Sequence, residues 1–111
     1  MFELKLKPYI LTWHNPYLNE VKKVNKLELT ITYNKEIVYY KQGIASEDDQ
    51  FEFLILQTKN YKPHKIYNSM IDFLIEHEYC ELIEKSNYRY FDKRIMSYNL
   101  KLTSKALLQI L

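Results

Sequence analysis

Residues 63–78 place apolar side chains at three- and four-residue intervals, and this spacing constrains the fold more than any other feature. Ile66, Met70 and Leu74 recur on one side of that stretch. The period is typical of an amphipathic helix packed on a core. Pro63 suits the first turn, since the N–H that it lacks would have no intrahelical partner. The sequence therefore predicts one helix over residues 63–78.

Two strands and a short helix are predicted after it. Residues 79–85 fit a strand better than a helix, and residues 87–94 form a loop of arginine, lysine and aromatic side chains. Residues 95–102 alternate between apolar and polar side chains, as a half-buried strand does. Thr103 can cap a final helix over residues 104–111, with Ala106, Leu107 and Ile110 facing inward.

A family resemblance rests on two features of this half of the chain. The first is the order helix, strand, basic loop, strand. The second is the pair of segments Asp92-Lys93-Arg94 and Leu102-Thr103-Ser104-Lys105-Ala106. Together they resemble the second half of a MarR-type winged helix-turn-helix domain, over the C-terminal half of the chain only. The resemblance implies a recognition helix in the major groove of double-stranded DNA, starting at His64, and a hairpin that forms the wing.

Two groups of residues would contact DNA in such a domain. Residues at the start of a recognition helix commonly reach base edges, and cations of a wing pair with phosphates. The candidates are Lys62, His64, Lys65, Tyr67 and Asn68 at the helix start, and Arg89, Lys93 and Arg94 in the loop. Residues 85–105 carry six Lys/Arg against one Asp, a net charge of +5. The alternatives are an ordinary polar helix start and a solvated hairpin whose tyrosines cover the core.

The first 45 residues predict antiparallel strands. Residues 1–7 alternate, and Pro8 ends that strand or marks a sheet edge. Residues 26–33 and 36–41 form a β-hairpin around Asn34-Lys35, with Leu27, Leu29, Ile31 and Tyr33 facing the core and part of the Tyr39/Tyr40 pair exposed. Residues 17–24 fit a short helix or a loop equally well.

Residues 46–59 are predicted to form a second helix. Ser46 followed by Glu47, Asp48 and Asp49 approximates a capping box, and the acids complement the helix dipole. Phe53 and Leu56 also allow a strand over residues 51–56, which is the less favoured alternative. Residues 61–63 would then be a tight link between two helices.

These elements predict an α+β fold. Residues 1–111 form one domain, in which an N-terminal antiparallel β portion, residues 1–45, precedes a helix–helix–wing unit, residues 46–111. Cys80 is the only cysteine, which excludes an intrachain disulfide, and no apolar run reaches membrane-spanning length. We therefore expect a cytoplasmic protein with no membrane partner.

Catalytic and metal sites are not expected. The sequence has no glycine-rich phosphate loop, and Glu3-Leu4-Lys5 and Glu20-Val21-Lys22 lack the upstream aspartate of a metal-dependent nuclease. The three histidines and Cys80 do not share the spacing of a metal-ligand set. We predict that the protein is not an enzyme and has no cofactor.

Two functions remain. The first is a small DNA-binding regulatory or accessory protein of a mobile element. If it forms a homodimer, we expect the interface at Phe2, Leu4 and Leu6 or at the edge of the hairpin formed by residues 26–41. The second is a protein–protein adaptor or inhibitor of phage or plasmid type. It would bind a host protein through the tyrosine-rich hairpin, residues 27–40, and would not bind DNA.

Overall fold

A computed structural model describes residues 1–45, 50–58, 64–91 and 93–109. The chain forms six strands and two helices in the order β1 (Phe2–Asn15), β2 (Glu20–Tyr33), β3 (Glu36–Ala45), β4 (Glu52–Thr58), α1 (His64–Glu76), β5 (Cys80–Tyr90), β6 (Lys93–Leu102) and α2 (Ser104–Leu107). The strands form two antiparallel sheets. The first sheet has the order β1-β2-β3 and the second sheet has the order β4-β6-β5.

The first sheet is a meander built from alternating apolar residues. Leu4, Leu6, Leu29 and Ile31 are buried on its inner side, as the alternation predicts. Both residues of the Asn34-Lys35 turn have positive φ, 51° and 70°, which is the backbone of a two-residue type I′ hairpin. Both strands of the β1–β2 hairpin run further than predicted. β1 continues through Pro8 to Asn15, and β2 begins at Glu20, where the sequence allowed only a helix or a loop.

The second sheet contains a crossover connection. β4 and β5 are each antiparallel to β6, so they are parallel to one another with β6 between them. Parallel strands need a long connection, and α1 supplies it. Helix α1 ends at Glu76, and two residues later Glu78 adopts φ 61°, while the N–H of Tyr79 donates to the Leu74 carbonyl at 2.9 Å. This is a Schellman-type end made without glycine.

One hydrophobic core joins both sheets and both helices. Leu29 and Ile31 from the first sheet, Ile55 and Leu100 from the second, and Met70 and Leu74 from α1 have no solvent-exposed area. Helix α1 contacts both sheets, because Phe73 stacks on Phe2 with ring centroids 5.5 Å apart. Thr103 caps α2 as predicted, accepting from the Ala106 N–H at 3.3 Å.

The predicted winged helix is wrong. Residues 52–58, predicted as the helix before α1, form strand β4, in which Phe53 and Ile55 are buried while Leu54 and Leu56 are about half exposed. Only alternation of period two explains that pattern. The helix-start signal at residues 46–49 and the predicted link at 61–63 lie outside the described residues. Within the described residues no helix precedes α1, so that part of the chain offers no partner for a helix-turn-helix.

The fold class is also corrected. The chain is nearly all β, with two three-stranded sheets, and α1 serves as the crossover of the second sheet. The predicted wing loop, residues 87–94, is mostly strand, because β5 continues to Tyr90 and β6 begins at Lys93. Within the described ranges, no helix is long and apolar enough to cross a membrane.

Candidate nucleic-acid interface

The residues predicted to contact DNA fall into separate places. Asn68 and Arg94 line the same groove, between α1 and the β5–β6 hairpin. Tyr67 is partly buried and meets Tyr39 edge-on, with ring centroids 6.4 Å apart. His64 and Lys65 begin α1, but their side chains, like the whole of Lys62, lie outside the described part of the structure. Of the two described side chains of the predicted recognition-helix surface, Asn68 lines the groove and Tyr67 packs against Tyr39.

The predicted basic loop is divided between the two faces of a hairpin. Arg89 and Arg94 are direct cross-strand partners, so their side chains share one face. Lys93 pairs with Tyr90 and lies on the opposite face, since neighbouring strand residues point in opposite directions. Two of the three predicted wing cations thus form a pair, and the third is separate from them.

A groove of about 590 Å³ opens beside the two arginines. We call it the hairpin groove. One wall is α1 and the other is the α1-facing side of β5 and β6. Its lining residues are Asn68, Ile71, Asp72 and Ile75 from α1, Leu82, Lys85 and Asn87 from β5, and Arg94, Met96 and Tyr98 from β6. The floor is mostly apolar, while the hairpin side is cationic.

Among the described residues, the hairpin side of the groove carries an excess of positive charge. Lys85, Arg89 and Arg94 lie on one face by the alternation of β5 and β6, and Asp72 of α1 is the acid that lines the opposite wall. Among the described residues neither arginine has an ion-pair partner. Like charges directly opposite each other destabilise a strand pair. An anion bound between the arginines would remove that repulsion.

Lys85 extends the cationic face toward the body of the protein. Its Nζ lies 5.5 Å from the centroid of the Tyr98 ring, within the range of a cation–π contact. Tyr98 itself is buried and forms part of the groove floor. The contact places the lysine at the groove, which it lines together with Tyr98.

Sequence reasoning missed Lys85 and Asn87 as site residues. The sequence placed Lys85 at the end of a short strand and Asn87 at the start of a loop, where the direction of a side chain is undefined. Once β5 is known to reach Tyr90, the period of two puts Lys85, Asn87 and Arg89 on one face. The spacing of these three residues was the available signal.

The groups with perturbed proton affinity lie away from the groove. Burial raises the pKa of the Cys80 thiol to about 12, and burial likewise raises the pKa of Tyr39 to about 12. A hydrogen bond from Tyr40 to the Glu28 carboxylate raises the pKa of the Tyr40 phenol. Within the described ranges, no three His, Cys, Asp or Glu side chains are grouped to hold a metal ion.

The outer face of the first sheet is a second exposed surface. Tyr40 and Ile37 of β3 are exposed there, whereas Tyr39 is half-buried and donates a hydrogen bond to the Leu54 carbonyl at 3.1 Å. The predicted exposure of one member of the Tyr39/Tyr40 pair is confirmed. No protein-family model matches the sequence, and no curated protein or solved structure shows significant similarity to the chain.

Proposed function

We propose that the chain is a nucleic-acid-binding protein that holds a phosphate backbone at the cationic side of the hairpin groove. The observation that carries the proposal is the Arg89–Arg94 cross-strand pair, which lies beside an apolar groove without a carboxylate partner among the described residues. Guanidinium groups bind phosphate oxygens in bidentate geometry. A phosphate between the two arginines would meet two such groups at once.

The groove favours a single strand over a duplex. Its volume, about 590 Å³, is in the range of sites that bury a small molecule. An unpaired base could lie on the floor made by Met96, Tyr98 and Ile71, with its phosphates on Lys85 and the arginines. A cationic rim beside apolar and aromatic side chains is the usual arrangement for single-stranded nucleic acid.

Helix α1 does not support the expected binding to duplex DNA. Met70, Ile71 and Leu74 are buried against the core, and Asp72 and Glu76 would meet phosphates with negative charge. The regulatory or accessory role is retained as part of the proposal, because a small binding protein for single strands suits it as well. The cytoplasm remains the proposed compartment, since a lone cysteine implies no structural disulfide.

Arg89→Ala combined with Arg94→Ala is the direct test. Fluorescence anisotropy with a labelled single strand and a matched duplex should show that wild type prefers the single strand. The double variant should lose roughly 10- to 100-fold in single-strand affinity, because two charge-assisted contacts are removed. Its log–log salt slope should also fall by about 1.4, the value expected when two phosphate contacts to a single strand are lost.

Lys5→Ala combined with Lys41→Ala is the matched control. Both lysines are exposed on the first sheet, so this variant loses the same net charge without touching the groove. Its affinity should stay close to that of wild type. Equal weakening in the two double variants would mean that net charge alone matters. Absence of single-strand binding by wild type at about 50 mM salt, where even nonspecific contacts register, would contradict the proposal.

Adaptor or inhibitor function is the second candidate, favoured by the outer face of the first sheet. Tyr40 is exposed and fixed by its hydrogen bond to Glu28, and Ile37 is exposed on the same strand. Fixed aromatic side chains are common binding hot spots. If a host protein binds this face, Tyr40→Ser should weaken the complex by on the order of 2 kcal/mol in calorimetry. The Arg89/Arg94 double variant should then bind that partner normally.

A further inference from the structure

The distal half of the β1–β2 hairpin projects from the core as a two-stranded ribbon. β2 pairs with β3 only from Lys26 to Tyr33, so residues 20–25 pair with β1 alone. We call residues 10–25 the arm. Within the described part of the chain, β1 has no neighbour on its other side. Its outer edge therefore presents unpaired backbone N–H and C=O groups.

Apolar side chains cover the arm although it lies outside the core. Leu11 is 49% exposed, Trp13 is 53% exposed and Val21 is 60% exposed, and Ile10, Tyr17 and Leu18 are more exposed still. Tyr9, Leu11 and Trp13 share one face of β1, because they alternate along the strand. Contiguous apolar surface of this kind on a small domain marks an interaction site.

The edge of the arm carries no charge. Residues 8–15, Pro-Tyr-Ile-Leu-Thr-Trp-His-Asn, contain no lysine, arginine, aspartate or glutamate. Exposed edge strands are ordinarily protected by such charges. The charged residues of the arm, Glu20, Lys22 and Lys23, all lie on β2, one strand away from the edge.

The surface area of the chain also exceeds that of a compact monomer. It exposes 8272 Å² at a mass of 13.6 kDa, whereas a folded monomer of that mass exposes about 6,600 Å². The excess of about 1,700 Å² is more than the roughly 800 Å² that each partner buries in a standard interface. The chain therefore has enough surplus surface to form one stable interface.

We infer that the arm is a dimerisation element in which β1 pairs antiparallel with β1 of a second copy of this chain. The two first sheets would then form one continuous six-stranded sheet across a twofold axis. A pairing centred on Thr12 places Leu11 beside Trp13 of the second copy on one face, and Ile10 beside His14 on the other. It also leaves Pro8, which cannot donate a hydrogen bond, outside the paired residues.

The uncharged edge of β1 favours a second copy of this chain as its partner. An uncharged edge is complementary to itself, and a twofold pairing repeats each contact. The lysines of β2 in the two copies would be three strand spacings apart, about 14 Å, which exceeds the Debye length at physiological salt. The pairing therefore buries the apolar side chains of β1 without opposing like charges. It does not depend on the proposed nucleic-acid site.

The earlier expectation for a dimer is corrected in part. Leu4 and Leu6 were predicted as a possible seam, but both are buried in the core of the monomer and cannot meet a second copy. Phe2 stacks on Phe73 within the same chain. The other predicted interface, the edge of the hairpin at residues 26–41, is β3, whereas the arm offers the free edge of β1.

Sedimentation equilibrium from about 1 to about 300 µM tests the inference, because weak dimers dissociate within this range. Wild type should approach twice the monomer mass at the upper end. Trp13 is the only tryptophan, so its emission should shift to shorter wavelength as the dimer forms. Leu11→Lys, which puts a charge at the centre of the paired edge, should raise the dissociation constant at least 100-fold and abolish the emission shift.

Ile37→Lys is the matched control. Ile37 is 67% exposed on β3 of the same sheet, far from the free edge of β1, so this variant should dimerise like wild type. Circular dichroism establishes that both variants are folded. The inference is overturned if wild type stays monomeric with unshifted Trp13 emission, which would assign the arm to a different protein. It is also overturned if Leu11→Lys dimerises normally, which would place the seam elsewhere.

Discussion

At the scale of single residues, burial determines which side chains can react. Cys80 is buried where β5 begins, opposite Leu102 of β6, and its desolvation raises the pKa of the thiol to about 12. A thiol kept protonated in this way is a poor nucleophile and a poor metal ligand. The same desolvation raises the pKa of Tyr39, whose hydroxyl donates to the Leu54 carbonyl across the two sheets.

Alkaline pH should weaken the fold through Cys80. The pKa of the thiol is raised from 9.0 in the reference state to about 12. Between these values the unfolded chain releases a proton that the folded chain keeps. The stability that the neutral thiol contributes is therefore complete below the unfolded pKa, and it falls as pH rises toward the folded pKa.

The measurement is the difference in unfolding free energy between wild type and Cys80→Ala. The advantage of wild type should shrink by roughly 1 to 2 kcal/mol between about pH 8 and about pH 10.5. Leu100→Ala removes a buried side chain that does not titrate, so its deficit should stay constant over the same range. A constant difference for Cys80→Ala as well would show that the thiol is accessible to solvent.

At the scale of elements, β4 shows how a helix signal can mislead. The acids at residues 47–49 are a good helix start, and Phe51, Leu54 and Ile55 keep helical spacing. Phe53 and Leu56 also allow a strand over residues 51–56, which the sequence favours less than the helix. Pairing with β6 decides between them, because it buries Phe53 opposite Leu100 and Ile55 opposite Tyr98.

Two substitutions separate strand from helix at β4. Ile55 has no exposed area, so Ile55→Ala should lower the unfolding free energy by about 2 to 5 kcal/mol, the usual cost of a cavity in a core. Leu54 is 51% exposed, so Leu54→Ala should cost only about 0.5 kcal/mol. Urea denaturation measures both changes. Similar large losses for both variants would support a helix instead, because helical spacing would bury both positions.

At the scale of the whole molecule, the two sheets share one core. Ile31 of the first sheet and Leu100 of the second belong to the same buried cluster, and α1 contacts both sheets. Burial of this kind couples elements that are separate in hydrogen bonding. We therefore predict that residues 1–111 unfold as one domain, although the hairpin arm exchanges its amides sooner.

Native-state hydrogen exchange tests the single domain. Ile31→Ala should reduce the protection of the Leu100 amide by the full loss of stability, about 2 to 5 kcal/mol, although Leu100 lies in the other sheet. In both proteins, Val21 in the arm should exchange quickly at concentrations where the chain is monomeric. Unchanged protection at Leu100 would mean that each sheet unfolds independently.

The sequence by itself determined the local elements. Its alternation located the inner faces of β1, β2 and β6, its helical spacing located α1, and Thr103 located the start of α2. These features depend on the period of the backbone and on short-range hydrogen bonds, which neighbouring residues specify. The basic, aromatic character of residues 87–94 was also evident before the fold was known.

Only the tertiary structure decided the sheets and the groove. Residues 52–58 became a strand because β6 offered a free edge, and a partner distant in sequence leaves no local signal. Pairing of β5 with β6 turned the predicted wing loop into strand, which put Arg89 opposite Arg94 and Lys93 on the other face. Because α1 is buried against both sheets, it cannot act as a recognition helix, and a groove lies between α1 and the β5–β6 hairpin.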